Sequence, residues 1–256
     1  MAALGERVIQ AGDGISEFEW QASPQLAALP QASWQDWAAP EGRVFVVAPH
    51  PDDEVLAAGG LMAQLAAAGH DVQVVAVTDG GASHPGSRLW PQARLLEQRP
   101  RESGAALRCL GVRSACLRLH LPDGAIAVHR ATLVRRLCQL FAPGDRVVTT
   151  WRWDGHPDHE ETAQAVAEAA ARRHVRLFEA PVWAWHWCLP SDERWPWSRA
   201  RRLPLDLATR ERKQRAVQAH ASQLHPDPST GRGPVLRPSI VARAARPFEV
   251  FFAHDG

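Results

Sequence analysis

The chain has 256 residues, 45% of them apolar, which suits one large α/β domain or two small ones with a sizeable core. A formal net charge of +1 gives no electrostatic reason to expect capture of nucleic acid or of an anionic membrane. The longest apolar runs, such as Val72–Val77, are far too short to cross a bilayer, and no basic segment followed by an apolar one opens the chain, so a soluble, cytoplasmic protein is expected.

In chain order, residues 1–40 lack clear periodicity but carry Trp20, Trp34 and Trp37, and the extension they form runs to 42. Three tryptophans on a free tail would expose costly apolar surface, so this stretch is expected to pack as an extension on a single domain spanning 43–256. Arg43–Ala48 is a short apolar run, predicting a buried strand. Glu54–Ala68 predicts an Ala- and Leu-rich helix ended by Gly69, with Gly59-Gly60 permitting close packing on the sheet. Val72–Thr78 is a second strand, closed by the turn Asp79-Gly80-Gly81. Pro91–Leu110 predicts a helix, bent or restarted at Pro100 and ended by Gly111. Cys116–Leu121 follows as a strand, then Pro122-Asp123-Gly124, a helix over His129–Phe141, a strand over Arg146–Trp151, a helix over His159–Arg173 and a strand over Val175–Ala180. Trp183, Trp185 and Trp187 alternate, as on one face of an edge strand. With Trp195 and Trp197 they form either an aromatic wall for a ligand or, the favoured reading, a small core of their own. Residues 226–239, rich in Pro, Gly and Ser, predict a loop over the site, and Phe248–Phe252 a last short strand.

Strands alternating with helices imply parallel pairing through crossovers. The expected fold is a doubly wound, mainly parallel, Rossmann-like α/β sheet with helices on both faces. Ligands of such sheets bind beyond the carboxyl ends of the strands, and in the usual order the first strand neighbours the fourth.

Those two strands run into related motifs: His50-Pro51-Asp52-Asp53-Glu54 and His156-Pro157-Asp158-His159. Proline is favoured at the first helical position, so each motif should open a helix with His near the N-cap and a metal-capable residue three positions on. One His-Pro-Asp alone could be a helix start whose Asp complements the dipole. Two at neighbouring strand ends, with an acidic pair and three histidines, are costly to assemble without a cation. Two imidazoles and a carboxylate from His50, Asp53 and His159 suit one zinc ion per chain with water in the fourth position. Asp52 is then placed as general base toward that water, and His156 as donor to the tetrahedral oxyanion. No tyrosine exists to share these roles, and the four cysteines form no Cys-x-x-Cys pair, which argues against a thiolate site.

The residues Ala48-Pro49-His50-Pro51-Asp52-Asp53-Glu54 and His156-x-x-His159 resemble the LmbE/PIG-L deacetylase family, whose first marker is Ala-His-Pro-Asp-Asp-Glu; here one proline intervenes before His50. Arg99-x-x-Glu102, Pro122-Asp123-Gly124 and Lys213-x-x-Ala216 with His220-x-Ser222-Gln223 extend the likeness over about residues 43–225. The resemblance implies a zinc-dependent hydrolase that removes an acetyl group from an N-acylated small molecule, an amino sugar or sugar conjugate, by attack of zinc-bound water. It implies the same metal ligands, Asp52 as base, His156 assisting the oxyanion, and Arg99 and Asp123 as substrate contacts. It also leaves room for a homo-oligomer. Three other readings stay open: a metal-dependent hydratase on the same scaffold, a non-haem iron oxygenase with a facial triad, and a binding module with a structural metal.

Overall fold

The computed structural model describes residues 14–253, together with 9 and 12. Among the described residues, seven strands form one sheet: β1 (Val44–Ala48), β2 (Val72–Thr78), β3 (Leu117–Leu121), β4 (Arg146–Thr150), β5 (Arg176–Ala180), β6 (Ala200–Pro204) and β7 (Phe248–Ala253). Their order is β3-β2-β1-β4-β5-β7-β6. The first five are mutually parallel, whereas β7 runs antiparallel to both β5 and β6. The expected adjacency of β1 and β4 is present, with Val44 opposite Arg146 and Val47 opposite Thr149.

The helices are α1 (Glu17–Gln21), α2 (Pro24–Ala27), α3 (Asp53–Ala67), α4 (Gln92–Leu110), α5 (Ile126–Leu140), α6 (Pro157–Arg173), α7 (Ala184–Trp187), α8 (Leu207–Gln218), α9 (Ala221–Leu224) and α10 (Pro238–Ala244). Every residue of β1 is buried, as a central strand covered on both faces must be. Val44 and Val46 face one core with Leu61 and Leu65 of α3, Leu107 and Leu110 of α4, and Val217 of α8. Phe45 and Val47 face the other, with Leu133 and Leu137 of α5 and Val166 and Ala169 of α6. The period-two alternation of β1 thus sorts the helices onto both faces, and the fold is a mainly parallel α/β sheet of the doubly wound kind. Among the described residues no helix is long and apolar enough to cross a membrane.

A third cluster joins Trp20, Leu26 and Leu29 to Trp151, Trp185, Trp195 and Phe252. Trp20 donates its indole N–H to the Trp185 carbonyl at 2.7 Å, and Arg246 clamps Glu17 at 2.7 Å while stacking over Trp185. Of the N-terminal stretch, residues 1–8, 10, 11 and 13 lie outside the described residues.

Three local expectations change. Trp183–Trp187 is no edge strand: Ala184–Trp187 is a single helical turn. Helix α4 runs unbroken through Pro100, and Leu96, whose carbonyl loses its helical partner there, lies on the exposed side. Strand β6 joins the sheet between residues that showed no strand pattern. The Gly59-Gly60 pair does serve close packing, since a Cβ on Gly60 would lie 2.5 Å from Leu205 and 3.1 Å from Glu249 of β7. There α3 kinks at Ala58, and the freed N–H groups of Gly60 and Leu61 donate to the Glu249 carboxylate at 2.6 and 2.8 Å. Lys213 of α8 neutralises that buried carboxylate at 2.6 Å.

Candidate metal centre and its pocket

The carboxyl ends of β1 and β4 deliver the two His-Pro-Asp motifs to one cavity of about 350 Å³. The second motif opens its helix as expected, with His156 at the N-cap of α6 and Pro157 in the first turn. The first starts later: Asp52 is the N-cap of α3 and the helix begins at Asp53. Asp52 sits at φ 130°, a region few non-glycine residues occupy and one where strain is retained only if the surroundings hold it. They do: its N–H donates to Glu54 Oε2 at 2.9 Å, and its Oδ2 accepts from Arg99 at 3.1 Å.

Asp53 is the focus of the site. Its Oδ2 lies 3.1 Å from His50 Nδ1 and 3.1 Å from His159 Nε2. Donor atoms of His50, Asp53 and His159 all fall within 4.8 Å of one another, close enough to share one metal ion. His159 Nε2 has no hydrogen-bond partner, while its Nδ1 meets Asp154 Oδ2 at 2.8 Å. A nitrogen lone pair 3.1 Å from a carboxylate oxygen requires a cation between them, a proton or a metal. The titration behaviour agrees. Burial works to lower His159, but the Asp53 charge and the Asp154 hydrogen bond raise it to about 9. Burial likewise opposes a charge on His50, yet Asp123, Asp158 and Asp53 raise it well above the ordinary imidazole value. Asp53, which burial alone would raise, is held well below the usual carboxylate range by His159 and His50. The negative field that raises both imidazoles would equally favour a divalent ion, and a donor set of two imidazoles and one carboxylate fits such an ion.

Around this trio the remaining residues divide. Burial pushes the Asp52 carboxyl up to about 7, with Arg99 pulling the other way. His156 is pushed down to about 3 by burial and by the neighbouring His159 and His50, so its ring is neutral; its Nδ1 has no partner. Asp123 reaches His50 Nε2 at 3.2 Å and accepts from the Ala82 N–H at 2.8 Å. Burial would raise it, but the His50 contact holds it at about 2. Arg99 lines the cavity with two of its nitrogens engaged, donating to the Gly80 and Pro51 carbonyls at 3.0 and 2.6 Å and to Asp52. Gly80 is required there: its φ is +68°, and a Cβ would sit 2.1 Å from Arg99. Glu54 lies outside the cavity lining, accepting from Ser103 at 2.6 Å and from Asp52. Trp183 completes one wall, its ring inclined 24° to that of His156. Val235 and Leu236 complete another, from the expected loop, which ends earlier than 239 because α10 begins at Pro238.

All seven residues expected at the site, His50, Asp52, Asp53, Arg99, Asp123, His156 and His159, converge here. Two further carboxylates escaped the sequence reading. Asp158 was legible only as a helix-start acid; it meets His50 Nε2 at 3.2 Å and accepts the N–H groups of Gly124 and Ile126 at 2.7 and 3.3 Å. The repetition of the motif, which makes Asp158 the counterpart of Asp52, was the available signal. Asp154 lies before the motif, and nothing local marks it.

Residues 45–170 match the family described as PIG-L, GlcNAc-PI de-N-acetylase. The matched stretch, which holds both His-Pro-Asp motifs, is similar to the domain of that family. No match emerges from a comparison with curated proteins. Among solved structures, the fold is similar to the zinc-inhibited form of teicoplanin deacetylase (20% identity, 82% of this chain and 97% of that one, TM-score 0.57). It is also similar to N,N'-diacetylchitobiose deacetylase from Pyrococcus horikoshii (22% identity, 74% and 73%, TM-score 0.55). A third likeness is to 4-carboxy-2-hydroxymuconate hydratase from Pseudomonas putida (18% identity, 80% and 83%, TM-score 0.54). At these identities the likeness concerns the fold.

Proposed function

We propose that the protein hydrolyses the amide of an N-acetylated amino sugar or sugar conjugate, using one zinc ion held by His50 Nδ1, Asp53 and His159 Nε2. The observation that carries this reading is the convergence of both imidazoles on one Asp53 oxygen at the floor of a cavity. A zinc ion with three protein ligands and an open position would act as a Lewis acid and lower the pKa of water.

The chain's own groups supply the rest. Asp52, pushed up to about 7 by burial, takes the proton from the attacking water and passes it to the leaving amine. Arg99 fixes Asp52 against its strained backbone, and through that contact serves the reaction as a positioning residue as well as part of the substrate wall. His156, neutral, donates one N–H to the carbonyl oxygen as charge develops on it. Trp183 offers an apolar face for a sugar ring, and Asp123 an acceptor for its hydroxyls. Residues 14–42 act as a brace on a single catalytic domain that begins at 43.

The test is an acetate-release screen over N-acetyl amino sugars and sugar-linked thiols, run with metal-stripped and zinc-reconstituted protein. Release that returns with zinc is expected. Absence of acetate from every amide, together with hydration of an unsaturated acid, would replace this reading with the hydratase one.

A further inference from the structure

We infer that Asp154 is the residue that makes His159 a metal ligand, and that the same carboxylate locks the ligand to the pocket wall. This inference rests on the metal reading above. Asp154 is completely buried, a costly place for a carboxylate without full hydrogen bonding. Its two oxygens accept four hydrogen bonds. Oδ1 accepts the N–H groups of Val182 and Ala184, both at 2.9 Å. Oδ2 accepts the Trp183 N–H at 2.9 Å and faces His159 Nδ1 at 2.8 Å. A carboxylate offers about four lone-pair sites, so all are used.

A carboxylate against Nδ1 holds a proton on that nitrogen, so the ring atom left to meet a metal ion is Nε2, on the Asp53 side. Ring and tautomer are fixed by a group that never touches the ion, as for histidine ligands generally. What this chain adds is the coupling. The three N–H groups that saturate Asp154 are those of the turn carrying Trp183, and the Asp154 carbonyl also accepts the Trp187 indole N–H at 2.8 Å. The Trp-rich turn is therefore built on the same carboxylate that aims the ligand. Asp154 is a positioning residue for both.

Asp154→Asn is the test, because it keeps shape and can retain Oδ1 toward Val182 and Ala184. Its amide N–H₂ then faces His159 Nδ1 and forces the proton onto Nε2. Zinc affinity, measured by chelator competition, is expected to fall roughly 10- to 100-fold, with far-UV circular dichroism unchanged. Trp183→Ala, which disturbs only the wall, is expected to keep zinc affinity within about threefold. Wild-type affinity in Asp154→Asn overturns the inference, as does equal loss in Trp183→Ala. Should Asp154→Asn not fold, histidine-selective ¹⁵N spectra of the zinc-loaded wild type decide: His159 protonated on Nδ1 supports the inference, and protonation on Nε2 refutes it. If the wild type binds no zinc at all, it is the metal reading that fails, which separates the two outcomes.

Discussion

Replacing Asp52 by Asn separates catalysis from metal binding in a single substitution. The carboxylate lies one residue before Asp53, accepts from Arg99 at 3.1 Å, and lines the cavity. Asn keeps the shape and an acceptor for Arg99, which also retains the Pro51 and Gly80 carbonyls. Asn also tolerates positive φ, so the backbone at 130° is not newly strained. What disappears is the capacity to take a proton. A positioned general base contributes about 10²- to 10⁴-fold, or ~2.7–5.4 kcal/mol of barrier at about 1.36 kcal/mol per tenfold. The variant should therefore hold zinc at the wild-type ratio and lose at least about 100-fold in kcat. Glu54 is no substitute base, since both of its oxygens are engaged, by Ser103 and by the Asp52 N–H. Metal analysis beside steady-state acetate release reads both quantities. Wild-type turnover in Asp52→Asn would refute the assignment of the base, and loss of zinc would make Asp52 a ligand.

Further outcomes follow from packing and charge. Trp195→Ala empties the centre of the aromatic cluster, where that ring meets those of Trp20, Trp151, Trp185 and Phe252, and should lower unfolding free energy by about 3–5 kcal/mol in denaturant titration. Trp183→Ala should instead raise KM while changing stability by less than about 1 kcal/mol, because its half-buried ring faces the cavity; a large loss of stability with KM unchanged would assign it to the core. Lys213→Met leaves the buried Glu249 carboxylate without its cation and should cost about 3–5 kcal/mol, seen as a lowered denaturation midpoint. A neutral effect there would mean that the Gly60 and Leu61 N–H groups suffice.

The sheet was legible because β1 and β2 are valine-rich apolar runs and β4 is a β-branched run, Val147–Thr150, set between helical patterns, and the site because the same tripeptide follows β1 and β4. What stayed hidden depends on distant partners. Strand β6 carries Arg201, Arg202 and Pro204 and sits at the sheet edge, where no apolar run is needed. The alternation of Trp183, Trp185 and Trp187 imitates a strand, but the N–H groups of residues 182–184 are taken by Asp154, some 28–30 positions away, and the chain turns into a helix instead. The kink in α3 is equally non-local, since its freed N–H groups are satisfied by Glu249, 188–189 residues on. Pro100 shows the converse: a strong local breaker is tolerated where the residue four positions before it, Leu96, lies on the exposed face.

Zinc content of the purified, reconstituted chain beside that of His159→Ala tests the central claim most directly. In the proposed centre His159 is one of three protein ligands, and it is fully buried; two ligands rarely hold the ion. Mass-spectrometric metal analysis should find one zinc per chain in the wild type and a small fraction of that in a folded His159→Ala. Full zinc stoichiometry in that variant would contradict the account.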